Sequence, residues 1–116
     1  MTEIVRLDQN ARRSRAVVHG GVAYLAGHVA DDKSAPFAQQ IRQALANIDQ
    51  TLSRVGTDKS RLLTAQIWLQ TMDDYGAMNA AWEEWVTPGQ TPTRSCGQVW
   101  LADPKLLVEV IVTAAV

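Results

Sequence analysis

Hydrophobic and polar positions change their period several times along the chain, and each change marks an element. In residues 37–55 the apolar positions Phe37, Ile41, Ala44, Leu45, Ile48, Leu52 and Val55 follow the 3.6-residue period of a helix with one buried stripe. Gly56 is the expected C-terminal cap, and Ser34 is the expected N-terminal cap with Pro36 in the first turn. Ahead of the helix, residues 3–7 read as a short strand. Residues 16–19 and 22–28 then flank Gly20-Gly21, a two-residue turn that reaches positive φ at little steric cost, and so predict a hairpin.

Beyond the helix, Leu63, Ala65, Ile67 and Leu69 alternate with Thr64, Gln66, Trp68 and Gln70, the period-two pattern of a strand with two different faces. Asp73 or Asp74 is expected to cap a second helix carrying Tyr75, Met78, Trp82, Trp85 and Val86 on one side, stopped by Pro88-Gly89. Residues 93–101 and 107–115 read as the last strands, joined through Ala102-Asp103-Pro104-Lys105. The order β-β-β-α-β-α-β-β predicts an α+β chain, a mixed sheet with two helices on one face. Gln66 and Trp68 on the second face of their strand, with Trp100 later, mark the other sheet face as an expected oligomer interface.

Composition narrows the class. A chain of 116 residues, 47% hydrophobic and 20% charged, fits one soluble domain over residues 1–116. The formal net charge of −1 lacks the basic footprint of a nucleic-acid binder. The local run Arg12-Arg13-Ser14-Arg15 reads as solvated surface, or as a second contact for an anionic ligand. One cysteine excludes an internal disulfide and fits a reducing compartment. Residues 1–4 carry no signal-peptide pattern, and no apolar run approaches the roughly 18 residues that span a bilayer. The expectation is a cytoplasmic protein with no membrane contact.

Two charges interrupt the last strands: Arg94 in Pro92-Thr93-Arg94-Ser95-Cys96 and Glu109 in Leu107-Val108-Glu109-Val110-Ile111-Val112. A charge in an apolar strand costs free energy unless something pairs with it. Arg94 offers a planar fork for a carboxylate, and Glu109 offers an acceptor or general base, so a small acidic ligand is the expected partner. In a plain hairpin Glu109 would face about Val99, leaving Arg94 roughly 17 Å away at ~3.4 Å per residue. Either the last strand inserts elsewhere in the sheet, or the two residues meet across a subunit boundary. Cys96 has no histidine near it in sequence and reads as a buried thiol rather than a nucleophile. The nine-residue spacing of His19 and His28 supplies no metal-ligand set.

The runs Thr91-Pro92-Thr93-Arg94-Ser95-Cys96, Asp103-Pro104-Lys105 and Val108-Glu109-Val110 resemble the closing signature of the YjgF/RidA family of reactive-intermediate deaminases, also called endoribonuclease L-PSP. Tyr24-Leu25-Ala26-Gly27-His28-Val29 and Asp74-Tyr75-Gly76-Ala77-Met78-Asn79-Ala80-Ala81-Trp82 resemble its hairpin strand and second helix. The resemblance implies a chorismate-mutase-like subunit, a homotrimer around a central β-barrel, and ligand sites in clefts between subunits. It also implies hydrolysis of enamines and imines such as 2-aminoacrylate to 2-keto acids and ammonia, without metal or cofactor. By the same resemblance Arg94 holds the substrate carboxylate and Glu109 handles water, while Gly27, His28, Asn79 and Cys96 line the cleft. The chain departs from the pattern where a Gly-Pro-Tyr run is expected: it reads Arg12-Arg13-Ser14-Arg15-Ala16-Val17, and His28 stands where glutamine is common. That marks a divergent subgroup. The alternatives are a non-enzymatic carboxylate-binding module and an endoribonuclease-type translation inhibitor, the latter opposed by the near-neutral charge.

Overall fold

Alternation along the last strand decides the architecture. In Val108–Ala115 every second residue (Val108, Val110, Val112, Ala114) is buried, a length of apolar face that only a central strand covered by helices can hide. The computed structural model describes residues 3–116; residues 1 and 2 of the expected domain lie outside the described residues. Its strands are β1 (Val5–Leu7), β2 (Ala16–His19), β3 (Val22–Leu25), β4 (Leu62–Leu69), β5 (Thr93–Gln98) and β6 (Val108–Ala115), with helices α1 (Phe37–Arg54) and α2 (Tyr75–Trp85). They form one six-stranded sheet in the order β1-β2-β3-β6-β4-β5. All pairs are antiparallel except β4 with β5, so the sheet is mixed and the fold is the α+β arrangement expected. The last strand does insert elsewhere: β6 lies between β3 and β4, and β5 is left on the edge, paired to β4 alone.

The stripe of α1 (Ile41, Ala44, Leu45, Ile48 and Leu52) is fully or almost fully buried and packs with Ile67, Val110 and Val112 of the sheet and with Met78 and Trp82 of α2. At the C-terminal end Gly56 takes φ +82°, the Thr57 N–H donates to the Leu52 carbonyl and the Gly56 N–H to the Ser53 carbonyl. This is the paired closure that satisfies the last helical carbonyls. The start differs from expectation. Ser34 donates its N–H and hydroxyl to Asp32 Oδ1, and Pro36 occupies the cap position without a side-chain bond. The buried Gln40 ties this end down instead: its amide donates to the Ala35 and Lys105 carbonyls and its oxygen accepts the Leu107 N–H.

At α2 Asp74 holds the expected cap position, but its side chain makes no capping bond. Thr71 Oγ1 accepts the Asp73 N–H and opens a 3₁₀ turn, Met72–Asp74, that runs directly into the helix, so no aspartate side chain is needed there. Several strands are also shorter than their sequence pattern: β1 starts at Val5, not at residue 3, and β6 at Val108, not at residue 107. β3 stops at Leu25, not at residue 28, and β5 stops at Gln98, not at residue 101. Leu63 is exposed because the β4–β6 register shifts between Leu62 and Thr64, and the irregularity turns Leu62 inward in its place.

Both helices lie on one sheet face. The other is left open within the chain and carries Tyr24, Gln66, Trp68, Ile111 and a Thr64–Thr113 hydroxyl pair at 2.6 Å. Trp100, in the loop after β5, is 92% exposed. Among the described residues no helix is long and apolar enough to cross a membrane.

Candidate active site

Glu109 sits on β6 opposite Trp68 of β4, between Val108 and Val110, which face the helices. Strand alternation therefore turns the Glu109 side chain to the open face. Beside it β3 loses its register. Tyr24 faces Thr113, yet four residues later His28 faces Val110, only three residues back along β6. The extra residue makes a bulge at Ala26-Gly27, a device that re-aims a side chain where a ladder is interrupted. Gly27 keeps that space free, since a Cβ at this position would run into the Glu109 carboxylate and force it to swing aside. The carboxylate thus lies against bare backbone. Among the described residues nothing forms an ion pair with Glu109, and burial alone pushes its carboxyl above the ordinary value.

Arg94 pairs in register with the buried Ala65, so it faces the helices. Its guanidinium lies 5.9 Å from the Trp82 ring centroid, with Nη1 3.7 Å from Met78 Sδ and Nη2 3.5 Å from the Tyr75 hydroxyl. These contacts are long, and the strongest partner of an arginine, a carboxylate, is missing among the described residues. The fork is held on an aromatic and thioether shelf with its donors uncommitted. Cys96 follows two residues later and packs against the same core. Burial raises its thiol pKa, only partly offset by the Arg94 charge, which keeps the sulfur protonated and argues against a thiolate nucleophile. Asn79 is half-buried on α2, directly after Met78 and one turn beyond Tyr75.

The six residues expected to line one cleft fall into groups. Gly27 and Glu109 meet on the open face at β3–β6, whereas Arg94 and Cys96, with Asn79 on the neighbouring helix, belong to the helix-side rim at β5 and α2. The register places Glu109 opposite Trp68 and Arg94 opposite Ala65, three residues apart on β4 with one strand spacing on each side. Strand dimensions then put the two Cα atoms roughly 14 Å apart, with side chains on opposite faces. Insertion of β6 shortens the hairpin distance, yet it does not join the two charges in one chain.

His28 joins neither group. The sequence pattern placed it among the cleft residues, but its ring is 4% exposed and turned toward α1, with Nδ1 2.6 Å from the Ala26 carbonyl and Nε2 2.8 Å from Thr51 Oγ1. The bulge is the cause, since the extra residue sends His28 to the covered face, in line with Val110. In the arginine run only the Arg15 guanidinium is engaged, sharing Asp8 with Arg54. Asn10 Oδ1 accepts the backbone N–H groups of Arg12 and Arg13 and folds the loop on itself, leaving their side chains out of those bonds. Sequence reasoning missed the shelf under Arg94. Tyr75, Met78 and Trp82 share a helix face by their spacing, and that spacing signals burial without naming what lies beneath.

Three comparisons bear on this arrangement. The profile of the family described as Endoribonuclease L-PSP matches residues 3–116. A RutC family protein of Haemophilus ducreyi is 43% identical over 113 residues, covering 97% of each chain, and the RutC family protein YoaB of Escherichia coli is 41% identical over 113 residues, covering 97% of this chain and 98% of that one. The crystal structure of a member of the YjgF protein family from Neisseria meningitidis superposes with a TM-score of 0.93 at 38% identity, covering 97% of this chain and 94% of that one.

Proposed function

The chain belongs to the endoribonuclease L-PSP family, the family of the YjgF and RutC proteins, and from that membership we propose that it hydrolyses reactive imines and enamines of the 2-aminoacrylate type to 2-keto acids and ammonia. The observation that carries the reading is the pair of half-buried charges, Arg94 and Glu109, each without an ionic partner among the described residues. Burial of an uncompensated charge is costly, and both residues have the chemistry that an imino acid needs. Arg94 takes the carboxylate in a planar fork, which fixes the plane of the adjoining C=N carbon. Glu109 accepts a proton from water as its oxygen bonds that carbon. It then returns that proton to the nitrogen, which holds the former C=N electron pair, giving a carbinolamine. The hydroxyl proton next passes to the nitrogen by way of the same carboxylate as the C=O bond forms and the C–N bond breaks, and ammonia leaves. A carboxyl whose pKa is raised by burial suits both halves of that exchange.

The same reading requires assembly. We propose a homotrimer in which the open sheet faces turn toward a shared axis, so that Arg94 of one copy and Glu109 of the next close one site. The support is the half-buried Trp68 and the exposed Tyr24 and Leu63 on the uncovered side of the sheet, together with the edge position of β5, which carries Arg94 and is paired on one side alone. An RNA-cleaving role has less behind it. The net charge is −1, and Asp8 already occupies Arg15 and Arg54.

The test is release of ammonia and 2-keto acid from freshly generated 2-aminoacrylate. Acceleration by the wild-type protein that is lost in Arg94→Ala and in Glu109→Ala supports the proposal. No acceleration by wild type, with keto-acid binding that disappears in Arg94→Ala, replaces it with a carboxylate-binding module.

A further inference from the structure

Building on that reading of Glu109, we infer that His28 is a positioning residue: from the helix side of the sheet it fixes the Ala26-Gly27 bulge on which the Glu109 carboxylate rests. The bulge has two anchored ends. On one side the Ala26 N–H donates to the Arg15 carbonyl at 2.9 Å. On the other, His28 and Val110 exchange both backbone bonds, at 2.8 and 3.0 Å. Between them stands Gly27, whose missing side chain leaves room for Glu109 Oε2. The remaining freedom of this segment is rotation of the Ala26 carbonyl, and the His28 ring takes that carbonyl as its partner at 2.6 Å.

Hydrogen-bond roles follow from the partners. A carbonyl only accepts, so Nδ1 carries the proton, and Nε2 accepts from the Thr51 hydroxyl at 2.8 Å. This is a neutral imidazole with both nitrogens satisfied. Burial is the main cause that lowers its pKa; the bond to the Ala26 carbonyl opposes it, and the charges of Arg15 and Arg13 add to the lowering. An aliphatic residue would fill the space at less desolvation cost, yet it would take away the ring partner of the Ala26 carbonyl and of the Thr51 hydroxyl, and a buried polar group without a partner is costly. The chain Thr51 hydroxyl, His28 ring, Ala26 carbonyl thus ties a buried position on α1 to the seat of the carboxylate. Glu109 itself has no polar partner to orient it among the described residues, so the shape of its seat does that work.

Three variants of the full-length protein test this: His28→Leu, His28→Gln and Thr51→Val. In the 2-aminoacrylate assay His28→Leu is expected to lower kcat by about ten- to a hundredfold, the penalty for a small misplacement of a reacting group, with KM for the imino acid unchanged because Arg94 lies elsewhere. Glutamine retains a donor for Ala26 and an acceptor for Thr51, so His28→Gln should recover most of the loss. A second readout needs no turnover: carbon-13 NMR titration of the Glu109 carboxyl. Its pKa is expected to fall toward the ordinary glutamate value in His28→Leu and Thr51→Val as the group leaves the Gly27 surface, and to hold in His28→Gln. Where His28→Leu does not fold, Thr51→Val decides alone. An unmoved Glu109 titration in a folded His28→Leu or Thr51→Val protein overturns the inference, whether or not the wild type hydrolyses imines. A wild type without turnover but with the expected titration shifts overturns the proposed reaction and leaves the positioning role standing.

Discussion

The two faces of this sheet are built from the same strands and have opposite characters. On the helix-covered face Ile67, Val108, Val110 and Val112 are fully or almost fully buried, and the polar groups that enter it, His28, Gln40 and Thr51, are all hydrogen-bonded. On the open face Gln66, Trp68, Ile111 and Thr113 remain partly or fully accessible within one chain, and Glu109 keeps a raised pKa with no ion-pair partner among the described residues. The difference teaches where unfinished business lies. One face is closed by this chain's own helices and serves stability; the other is left uncovered within the chain, where the proposed assembly would close it. Arg94 stands at the boundary, on the covered side but at an edge strand, resting on Trp82 and Met78.

The sharpest test of this division is mixing. Arg94→Ala and Glu109→Ala should each lower deaminase activity by about 10²–10⁴-fold, the usual contribution of a positioned acid–base or binding group. Combined after dissociation and reassembly of the two variants, they should recover about a quarter of the sites if each site takes one residue from each of two copies. Recovery of none would place both residues of a site in the same chain and break the comparison.

The next largest contrast is between adjacent residues on β4. Ile67→Ala on the covered face should cost about 2–5 kcal/mol in denaturant unfolding, because it opens a cavity in a fully packed core. Trp68→Ala on the open face should instead lower the oligomer mass in sedimentation while strand content by circular dichroism is kept. An unchanged mass would show that the open face is not the assembly surface.

Gly27→Ala probes the seat of Glu109 alone. The added methyl would meet the far end of a flexible side chain, so the carboxylate should swing aside with little loss of stability, and kcat should fall by about a hundredfold. A variant with wild-type kcat would show that the carboxylate acts from another position.

The smallest effect is a sign. Burial raises the Glu109 pKa in the folded protein, so any stability linked to its proton is complete below the unfolded pKa and is lost as pH rises through the folded one. Glu109→Gln should therefore stabilise the fold at pH 7, and the gain should vanish near pH 4. Thermal melts of both proteins across that window read the sign; destabilisation by Glu109→Gln at pH 7 would mean that the carboxylate has a counter-charge.

The elements themselves were legible to within a few residues, because period and end signals act locally. The stripe from Phe37 to Val55, the stop at Gly56, the Gly20-Gly21 turn and the last strand fall where the pattern predicts, and β5 starts where expected but ends three residues early. Misses came where a non-local partner won. Gln40, tied to Lys105 and Leu107, does at the start of α1 what Ser34 was expected to do. Leu63 alternated correctly in sequence, and the register shift with β6 turned it outward. His28 was read as a cleft residue because one residue of bulge, invisible in the alternation, decides which face it takes.

By itself the sequence determined the fold class, the family signature and the two charges that strands do not carry without reason. Arg94 and Glu109 were identifiable because desolvation penalises a charge in any strand, whatever the topology. Tertiary structure decided which face each one takes and what lies beside it. Insertion of β6 between β3 and β4 fixed the register, the bulge at Gly27 gave Glu109 its seat, and α2 laid an aromatic shelf under Arg94. Those placements depend on pairings between segments dozens of residues apart, and a local pattern of polarity carries no information about which distant strand becomes the neighbour.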